Sequence, residues 1–428
     1  MRGVLLNHPE GPRLPRLDRQ TVCRALVVIA CTACAATPSL PDAYPHATEP
    51  IGTVRQSYDG ALTPELAQNT FRNIDRLFPT RAIAPSATPR PLLRAERALG
   101  DFRFTDGDSI YDLNRYVELN RVAAMLVLKD GRIALERYRF GNTARTRWMS
   151  MSIAKSVTST LIGAAIREGR IANINDPVTR YVPALTGSAY DGVSVRDVLM
   201  MSSGVRWTET YTDPQSDRRR LLEAQISQVP GAALTVLKSL ARATEPGIVN
   251  TYSTGETQVA AELLRGAVGK PLAAYLSEKI WVPAGMEAEA KWWLASPDGL
   301  EIGGSGISAT LRDYGRFGLF VMADGIVGRD TILPTGWVRE ATSPKVLRNG
   351  RALDYGYLWW TATTAAARRD AAFSAVGIHG QFIYVNPVER VVIVVWSAQP
   401  APSGGAVVND DLFFDAVVAT LHADHPRR

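Results

Sequence analysis

The sequence predicts a mixed α/β fold in which β-strands at both ends of a globular region enclose a long helical segment. A hairpin pattern of two strands occupies residues 122–141. Helical periodicity dominates between residues 152 and 285, and strand patterns return from residue 355 before a closing helix at 409–423. A chain of this length can bury a sizeable core, as one large domain or as two lobes.

Turn and cap residues delimit the individual elements. The sequence KDGR at residues 129–132 predicts a tight turn between the first two strands. The helix that starts at Ser152 is expected to end at Gly169, because glycine is common just beyond a helix. A second amphipathic helix is expected to end at Gly204. Further helical patterns lie at residues 231–243, 254–269 and 271–285, and strand patterns lie at 355–363, 373–387 and 390–398.

Composition excludes several classes of function. The 428 residues are 46% hydrophobic and 21% charged, as in an ordinary globular protein. The net charge of +6 is too small to predict nucleic-acid binding, and half of it lies in the first 36 residues. The densest basic run, residues 217–220, is interpreted as a solvated loop or helix start. Because Cys23, Cys31 and Cys34 are the only cysteines, a thiol nucleophile and cysteine-ligated metal are excluded beyond residue 35.

Residues 1–35 have the layout of a secretory signal, with an arginine-rich lead, a short apolar run and small residues at the end. The run is too short for a membrane-spanning helix. Residues 28–31 resemble a lipoprotein signal box with Cys31 as the acylated residue, whereas residues 33–35 suit ordinary signal cleavage. The expected location is therefore periplasmic or anchored to a membrane by lipid. The alternative is a cytoplasmic protein with a misassigned start codon.

The next segment, residues 36–110, is rich in proline, alanine and threonine. We expect an N-terminal extension that packs around other parts of the chain, without a core of its own. One helical pattern lies near residues 62–77. The globular domain is expected over residues 111–428.

A serine and a lysine lie three positions apart at the start of the first long helix. This spacing puts Ser152 and Lys155 on the same helix face. A lysine shielded from water has a lowered pKa and can accept the proton of a serine hydroxyl, and a helix N-terminus favours an oxyanion. The pair indicates a nucleophile with its base, although a serine cap beside a surface lysine would have the same spacing.

Two later segments could complete a hydrolase site. Tyr252 lies just before a helix, on a loop led by Pro246 and Gly247, where its phenol could carry a proton for the leaving group. The alternative is a half-buried loop tyrosine. The strand pattern at 373–387 contains glycines that would let its backbone approach a substrate, and the alternative there is a simple bulge.

These segments, in this order, resemble the serine β-lactamase and penicillin-binding-protein superfamily, of which Ser-x-x-Lys is one mark. The second motif, Tyr252-Ser253-Thr254, is similar to that of the class C branch. The wording of residues 148–155 and of residues 377–381 is most similar to the 6-aminohexanoate-dimer hydrolases (nylon-oligomer hydrolases) and related esterases. The resemblance covers about residues 111–421.

The resemblance implies a β-lactamase/transpeptidase-like fold, in which an antiparallel sheet built from both chain ends is flanked by helices. An all-helical lobe would occupy about residues 170–300. Ser152 would be the acylated nucleophile, and Lys155 and Tyr252 would share the proton transfers in an order that stays open. The backbone amides of Ser152 and Ile378 would form the oxyanion hole. The partner would be a small amide or ester, with no cofactor.

The third motif departs from the family pattern. The superfamily usually has Lys-Thr-Gly or His-Thr-Gly, whereas this chain has Ala375-Val376-Gly377. A cation for a substrate carboxylate is therefore missing from this strand, which favours small amides or esters. The alternatives are a β-lactamase or D-alanyl-D-alanine carboxypeptidase, and a non-catalytic sensor that binds an acyl donor or peptide.

Gly377, His379 and Trp207 are candidate substrate contacts. His379 is the only histidine between His46 and His422. We expect it chiefly to form hydrogen bonds in the core or cleft, with a substrate contact or a general base as alternatives. The sequence has no His-Glu-x-x-His pattern and no carboxylate–histidine cluster, so no metal is expected.

Overall fold

A computed structural model describes residues 44–424. The predicted signal segment, with Cys23, Cys31 and Cys34, lies outside the described residues, so export and lipidation stay predictions. Between residues 44 and 424, no helix has both the length and the apolar character needed to cross a membrane.

Thirteen α-helices form in the described residues. They are α1 (Val54–Asp59), α2 (Pro64–Arg72), α3 (Leu113–Leu119), α4 (Ile153–Arg167), α5 (Val195–Leu199), α6 (Asp217–Ile226), α7 (Ala232–Lys238), α8 (Thr254–Val268), α9 (Leu272–Leu276), α10 (Leu311–Met322), α11 (Trp337–Thr342), α12 (Ala365–Arg369) and α13 (Asp410–Asp424). A π-helical turn, Ser277–Trp281, follows α9, and 3-10 turns lie at Ile74–Arg76, Val178–Arg180 and Pro183–Leu185.

The strands of the same region are short apart from those of the main sheet. They are β1 (Thr80–Ile83), β2 (Arg103–Asp106), β3 (Ser109–Asp112), β4 (Val122–Lys129), β5 (Arg132–Tyr138), β6 (Arg147–Met149), β7 (Ala290–Trp293), β8 (Ile307–Thr310), β9 (Ile326–Val327), β10 (Asp330–Thr331), β11 (Lys345–Val346), β12 (Ala352–Leu353), β13 (Trp360–Thr361), β14 (Phe373–Gly377), β15 (Gln381–Asn386) and β16 (Val391–Ser397).

The main sheet is antiparallel and has the order β13-β14-β15-β16-β4-β5. Strand β16 pairs with β4, so strands from the two ends of the globular region meet at the centre of the sheet. Every residue of β4 and β16 is buried. Helix α10 packs on one face of these strands, and side chains of α3 and α13 form a hydrophobic cluster with the residues of the other face. The predicted antiparallel sheet, built from both ends of the globular region and flanked by helices, is confirmed.

The local signals for the first hairpin and the first long helix agree with the structure. Asp130 and Gly131 both have positive φ, of +52° and +75°, as the tight hairpin turn requires. Helix α4 is buried along nearly its whole length, and Gly169 follows it with a φ of +69°. The turn residues and the glycine after the helix, which mark both elements, are local signals.

Three predicted elements differ from the structure. Helix α5 ends at Leu199, five residues before Gly204, since Met201 has a φ of +50° and cannot continue the helix. The segment at residues 355–363 contains only the short strand β13, because Leu358 also has a positive φ of +60°. The predicted helical lobe at 170–300 is helical only up to the π-turn, and strand β7 follows it.

A second antiparallel sheet, with the order β1-β7-β8-β6, was not predicted. Its edge strand β1 comes from the N-terminal extension and pairs with β7, with Thr80 opposite Trp293. Phe71, Ile74 and Ile83 of the extension are completely buried in the same hydrophobic core as α4. The extension packs against other parts of the chain, as its composition predicted, and its apolar side chains also form part of the main core.

Candidate active site

The site forms where helix α4 begins, just after strand β6. Met151 is buried and turns the chain with a φ of +41°, a conformation that is costly for a non-glycine residue and is found where surrounding packing enforces it. Ser152 occupies the N-cap position, but its side chain caps no backbone amide. Because it is also partly exposed, its hydroxyl is available for reaction.

Lys155 lies one helical turn further on and is only 2% exposed. Its Nζ donates to the Thr254 hydroxyl at 2.9 Å and to the Gly304 carbonyl oxygen at 3.1 Å. The same Nζ lies 5.5 Å from the centroid of the Tyr252 ring. A Cβ at position 304 would lie 2.9 Å from Nζ, so glycine there leaves room for the amine.

This environment makes Lys155 a suitable base. Burial lowers its pKa to about 7; the negative charge of Glu209 opposes this effect and the positive charge of Arg218 adds to it. Near neutral pH, a substantial fraction of the amine is therefore unprotonated. An unprotonated amine is what removal of the Ser152 proton requires.

Tyr252 precedes helix α8, whose N-cap residue is Ser253. Its ring stacks on Trp360 at a centroid distance of 5.5 Å and meets Tyr355 edge-on at 6.3 Å. Burial raises the pKa of Tyr252, and a hydrogen bond with Ser152 opposes that rise. The phenol is thus protonated at neutral pH and lies beside the Ser152 hydroxyl.

The end of strand β14 packs closely against the segment that leads to Ser152. A Cβ on Gly377 would lie 2.5 Å from the carbonyl oxygen of Ser150, so a larger residue would force the two segments apart. Ile378 follows directly. This packing is compatible with the predicted oxyanion hole of the Ser152 and Ile378 amides. Ala375, which replaces the usual cation, is completely buried.

Glu209 is a site residue that the sequence did not suggest. Its Oε1 accepts from the Thr254 hydroxyl at 2.5 Å, and its Oε2 accepts from the Thr254 amide at 2.9 Å. The Trp207 indole Nε1 donates to Oε2 at 2.5 Å. Trp207, predicted as a substrate contact, is 7% exposed and holds this carboxylate. The signal that could have found Glu209 is its position two residues after this tryptophan.

The basic run at residues 217–220 begins α6, as one of its two interpretations predicted. The expectation that it is solvated holds for Arg220 but is wrong for the two preceding arginines. Arg218 is 1% exposed and Arg219 is also buried. The Arg218 guanidinium lies 4.5 Å from the Tyr58 ring centroid and donates to the Tyr58 hydroxyl. Because Tyr58 belongs to helix α1, the N-terminal extension holds a cation that acts on Lys155.

His379 lies in the interior. One ring nitrogen is 2.8 Å from the Gln399 carbonyl oxygen and the other is 3.0 Å from the Ser57 carbonyl oxygen. The ring also packs against Phe71 at 4.9 Å, and burial lowers its pKa. Since both nitrogens face backbone oxygens, we assign His379 an interior hydrogen-bonding role in place of a substrate contact.

Comparison with known proteins agrees with this geometry. The β-lactamase family model matches residues 119–417. A 6-aminohexanoate-dimer hydrolase from Paenarthrobacter ureafaciens is 29% identical over 349 residues, which covers 78% of this chain and 85% of that protein. A D-aminopeptidase from Brucella anthropi is 25% identical over 265 residues, which covers 54% of this chain and 47% of that protein.

A solved structure supports the same fold. It is that of a Bacillus anthracis protein provisionally assigned as a 6-aminohexanoate-dimer hydrolase, and it has a TM-score of 0.74 and 22% sequence identity. The alignment covers 85% of this chain and 96% of that one. The family match extends over well more than half of the sequence, and the chain therefore belongs to the β-lactamase family of serine hydrolases.

Proposed function

We propose that this serine hydrolase cleaves small esters and amides that need no carboxylate for recognition, through an acyl-enzyme on Ser152. The observation that carries the proposal is the buried amine of Lys155, whose pKa is about 7, one turn after a serine that makes no capping bond. A nucleophile with a base of this pKa on the same helix face is suited to acyl transfer at neutral pH.

In the acylation step, neutral Lys155 removes the hydroxyl proton of Ser152 while Oγ attacks the substrate carbonyl carbon. The carbonyl oxygen becomes an oxyanion, which the amides of Ser152 and Ile378 stabilise. When the bond to the leaving group breaks, Tyr252 gives its phenolic proton to the departing oxygen or nitrogen. The Lys155 ammonium then returns a proton to Tyr252, which restores both groups.

Deacylation uses Lys155 and Ser152, with water as the nucleophile. Neutral Lys155 accepts a proton from water as the water oxygen attacks the acyl-enzyme carbonyl. Collapse of the second tetrahedral intermediate breaks the ester bond and releases Ser152, whose oxygen regains a proton from the ammonium. The products are a carboxylic acid and the free enzyme.

The substrate preference follows from Ala375, a small apolar residue at the position of the usual cation. A charge-assisted hydrogen bond to a carboxylate contributes roughly 1.5 to 3 kcal/mol. An anionic substrate that depends on it is expected to lose about ten- to a hundredfold in kcat/KM. A neutral butyryl ester has no carboxylate to bind and so loses nothing.

The test compares p-nitrophenyl butyrate, nitrocefin and 6-aminohexanoate dimer on one preparation of the full chain. We expect kcat/KM for the butyrate ester to exceed that for nitrocefin at least tenfold. Nitrocefin turnover equal to the ester's would instead favour a β-lactamase. A protein that reacts with a fluorophosphonate probe at Ser152, yet turns over none of the three substrates, would be a sensor and not a hydrolase of this kind.

A further inference from the structure

A continuous chain of hydrogen bonds links Lys155 to Glu209. The Lys155 Nζ donates to the Thr254 Oγ1 at 2.9 Å, and that hydroxyl donates onward to Glu209 Oε1 at 2.5 Å. A lysine ammonium has no acceptor and a carboxylate has no donor, so the direction of both bonds is fixed when both groups are charged. The Thr254 hydroxyl therefore donates its single proton to the Glu209 carboxylate.

The Glu209 carboxylate is itself fixed by hydrogen bonds. Its second oxygen accepts from the Thr254 amide at 2.9 Å and from the Trp207 indole at 2.5 Å. The Trp207 ring packs against helix α8 so closely that a Cβ on Gly255 would lie 2.7 Å from it. The carboxylate therefore fixes the first residue of α8, and through its hydroxyl, the position of the Lys155 amine.

We propose that Glu209 is a positioning residue for Lys155, which acts through the Thr254 hydroxyl to orient the amine towards Ser152 and to set how readily it holds a proton. The inference rests on the proposed function, in which Lys155 is the base. It adds Thr254 and Glu209 to the Ser152–Lys155 pair, as groups that orient the base.

Three charged or titratable groups act on the amine from the elements around it. Glu209 raises the pKa of Lys155, while Arg218 on α6 and burial lower it. Tyr252 faces the amine with its ring and is protonated at neutral pH. Of these groups, only Glu209 is anionic and connected to Nζ by hydrogen bonds.

The test is Glu209→Gln in the full chain. Removing the negative charge lowers the pKa of Lys155, and the amide NH₂ would donate to Thr254, whose proton would then point to a neutral amine. We measure the pH profile of the rate at which a fluorophosphonate labels Ser152. The rising limb is expected near pH 7 in the wild type, where the pKa of Lys155 lies. In the variant it is expected to lie at least about one pH unit lower, given a charge separation of roughly 5 Å. The plateau is expected to fall about tenfold through misplacement of the base.

Glu209→Asp keeps the charge, and Glu65→Gln applies the same neutralisation at an exposed position on α2. In both variants the rising limb should lie within about 0.3 pH unit of the wild-type position, because neither removes the negative charge beside Lys155 whose loss predicts a shift of about one unit. A limb that stays at the wild-type pH in Glu209→Gln, even at a reduced rate, overturns the proposal, because a purely structural role would change amplitude alone.

Thr254→Val and Thr254→Ser provide a second measurement if Glu209→Gln does not fold. Valine removes the hydroxyl that links Lys155 to Glu209, and it should move the rising limb to lower pH and reduce the labelling rate. Serine keeps a hydroxyl and should restore the wild-type limb and rate. Wild-type behaviour of the valine variant overturns the relay. Labelling at Ser152 without ester or amide turnover overturns the proposed function alone, and absence of labelling at Ser152 in the wild type overturns both.

Discussion

Ser152 starts helix α4 without capping it, and this residue-scale detail separates its chemical role from its structural one. N-cap serines usually stabilise a helix by about 1 kcal/mol through a bond to a backbone amide. Ser152 makes no such bond, and its hydroxyl lies close enough to Tyr252 to oppose the rise in the pKa of that phenol. Loss of the hydroxyl should therefore affect reaction and leave the fold nearly unchanged.

Ser152→Ala is expected to reduce ester turnover below a hundredth of the wild-type rate, with a loss of less than about 1 kcal/mol in stability. Turnover of p-nitrophenyl butyrate and the thermal unfolding midpoint measure the two effects on the same sample. Activity above a hundredth of wild type in the alanine variant would assign the nucleophile to another residue.

Lys155→Arg keeps the positive charge but removes a group that can lose its proton near neutral pH. Because the buried Lys155 amine has a pKa of about 7, we expect at least about a hundredfold loss in kcat, as when a general base is removed. Stopped and continuous assays with p-nitrophenyl butyrate at pH 6 to 9 give the comparison. A nearly active arginine variant would mean that Tyr252 supplies the base.

At the scale of elements, helix α8 combines site residues with a buried acid on its inner side. Glu256 is 2% exposed, and its carboxyl accepts from the Ser203 hydroxyl at 2.5 Å. Burial raises the pKa of Glu256 to about 8. Between its ordinary pKa of about 4.5 and pH 8, the folded protein holds a proton that the unfolded chain has released. Folding stability from this residue is therefore present at low pH and is lost as pH rises through that range.

Glu256→Gln removes this titration while keeping the side-chain shape. We expect the unfolding midpoint of the variant, relative to the wild type, to rise by at least about 2 °C between pH 5 and pH 8. Differential scanning fluorimetry at several pH values measures the difference. Glu262→Gln on the same helix is a companion variant, since burial raises the pKa of Glu262 to about 7. A difference that does not change with pH would contradict the burial of a neutral acid at position 256.

At the scale of the whole molecule, the N-terminal extension is tied to the rest of the chain by an ion pair whose carboxylate is buried. Arg81 on β1 contacts Glu301 at 2.6 Å, and the Glu301 side chain is completely buried. Within the described region, Arg81→Ala would leave the Glu301 carboxylate with a hydrogen bond from the Ala273 amide at 3.0 Å. We expect a stability loss of about 1 to 3 kcal/mol, as a buried charge loses its partner. Urea unfolding followed by tryptophan fluorescence measures it.

The extension also offers a matched control. Arg55 on α1 pairs with Glu223 on α6, but both side chains are about half exposed. Exposed pairs contribute roughly 0 to 1 kcal/mol, so Arg55→Ala should change stability by less than about 1 kcal/mol. Equal losses in the two arginine variants would show that burial of Glu301 adds nothing to the first pair.

The sequence by itself determined those features that depend on neighbouring residues. The turn at Asp130-Gly131, the apolar helical pattern of α4 and the stop at Gly169 follow from local backbone preferences and helical periodicity. The three-residue spacing of Ser152 and Lys155 depends only on helix geometry. The order of strands and helices, together with the motif resemblance, was sufficient for the fold class.

Only the tertiary structure decided which of these residues share an environment. The lowered pKa of Lys155 arises because α8 and the segment around Gly304 exclude water from it, and Glu209 reaches it through Thr254 across 45 residues of sequence. Strand β1 has no pattern of its own strong enough to predict a sheet, since four residues gain stability only through pairing with β7. Burial, charge proximity and pairing of short strands are properties of contacts between distant segments, which local sequence patterns do not contain.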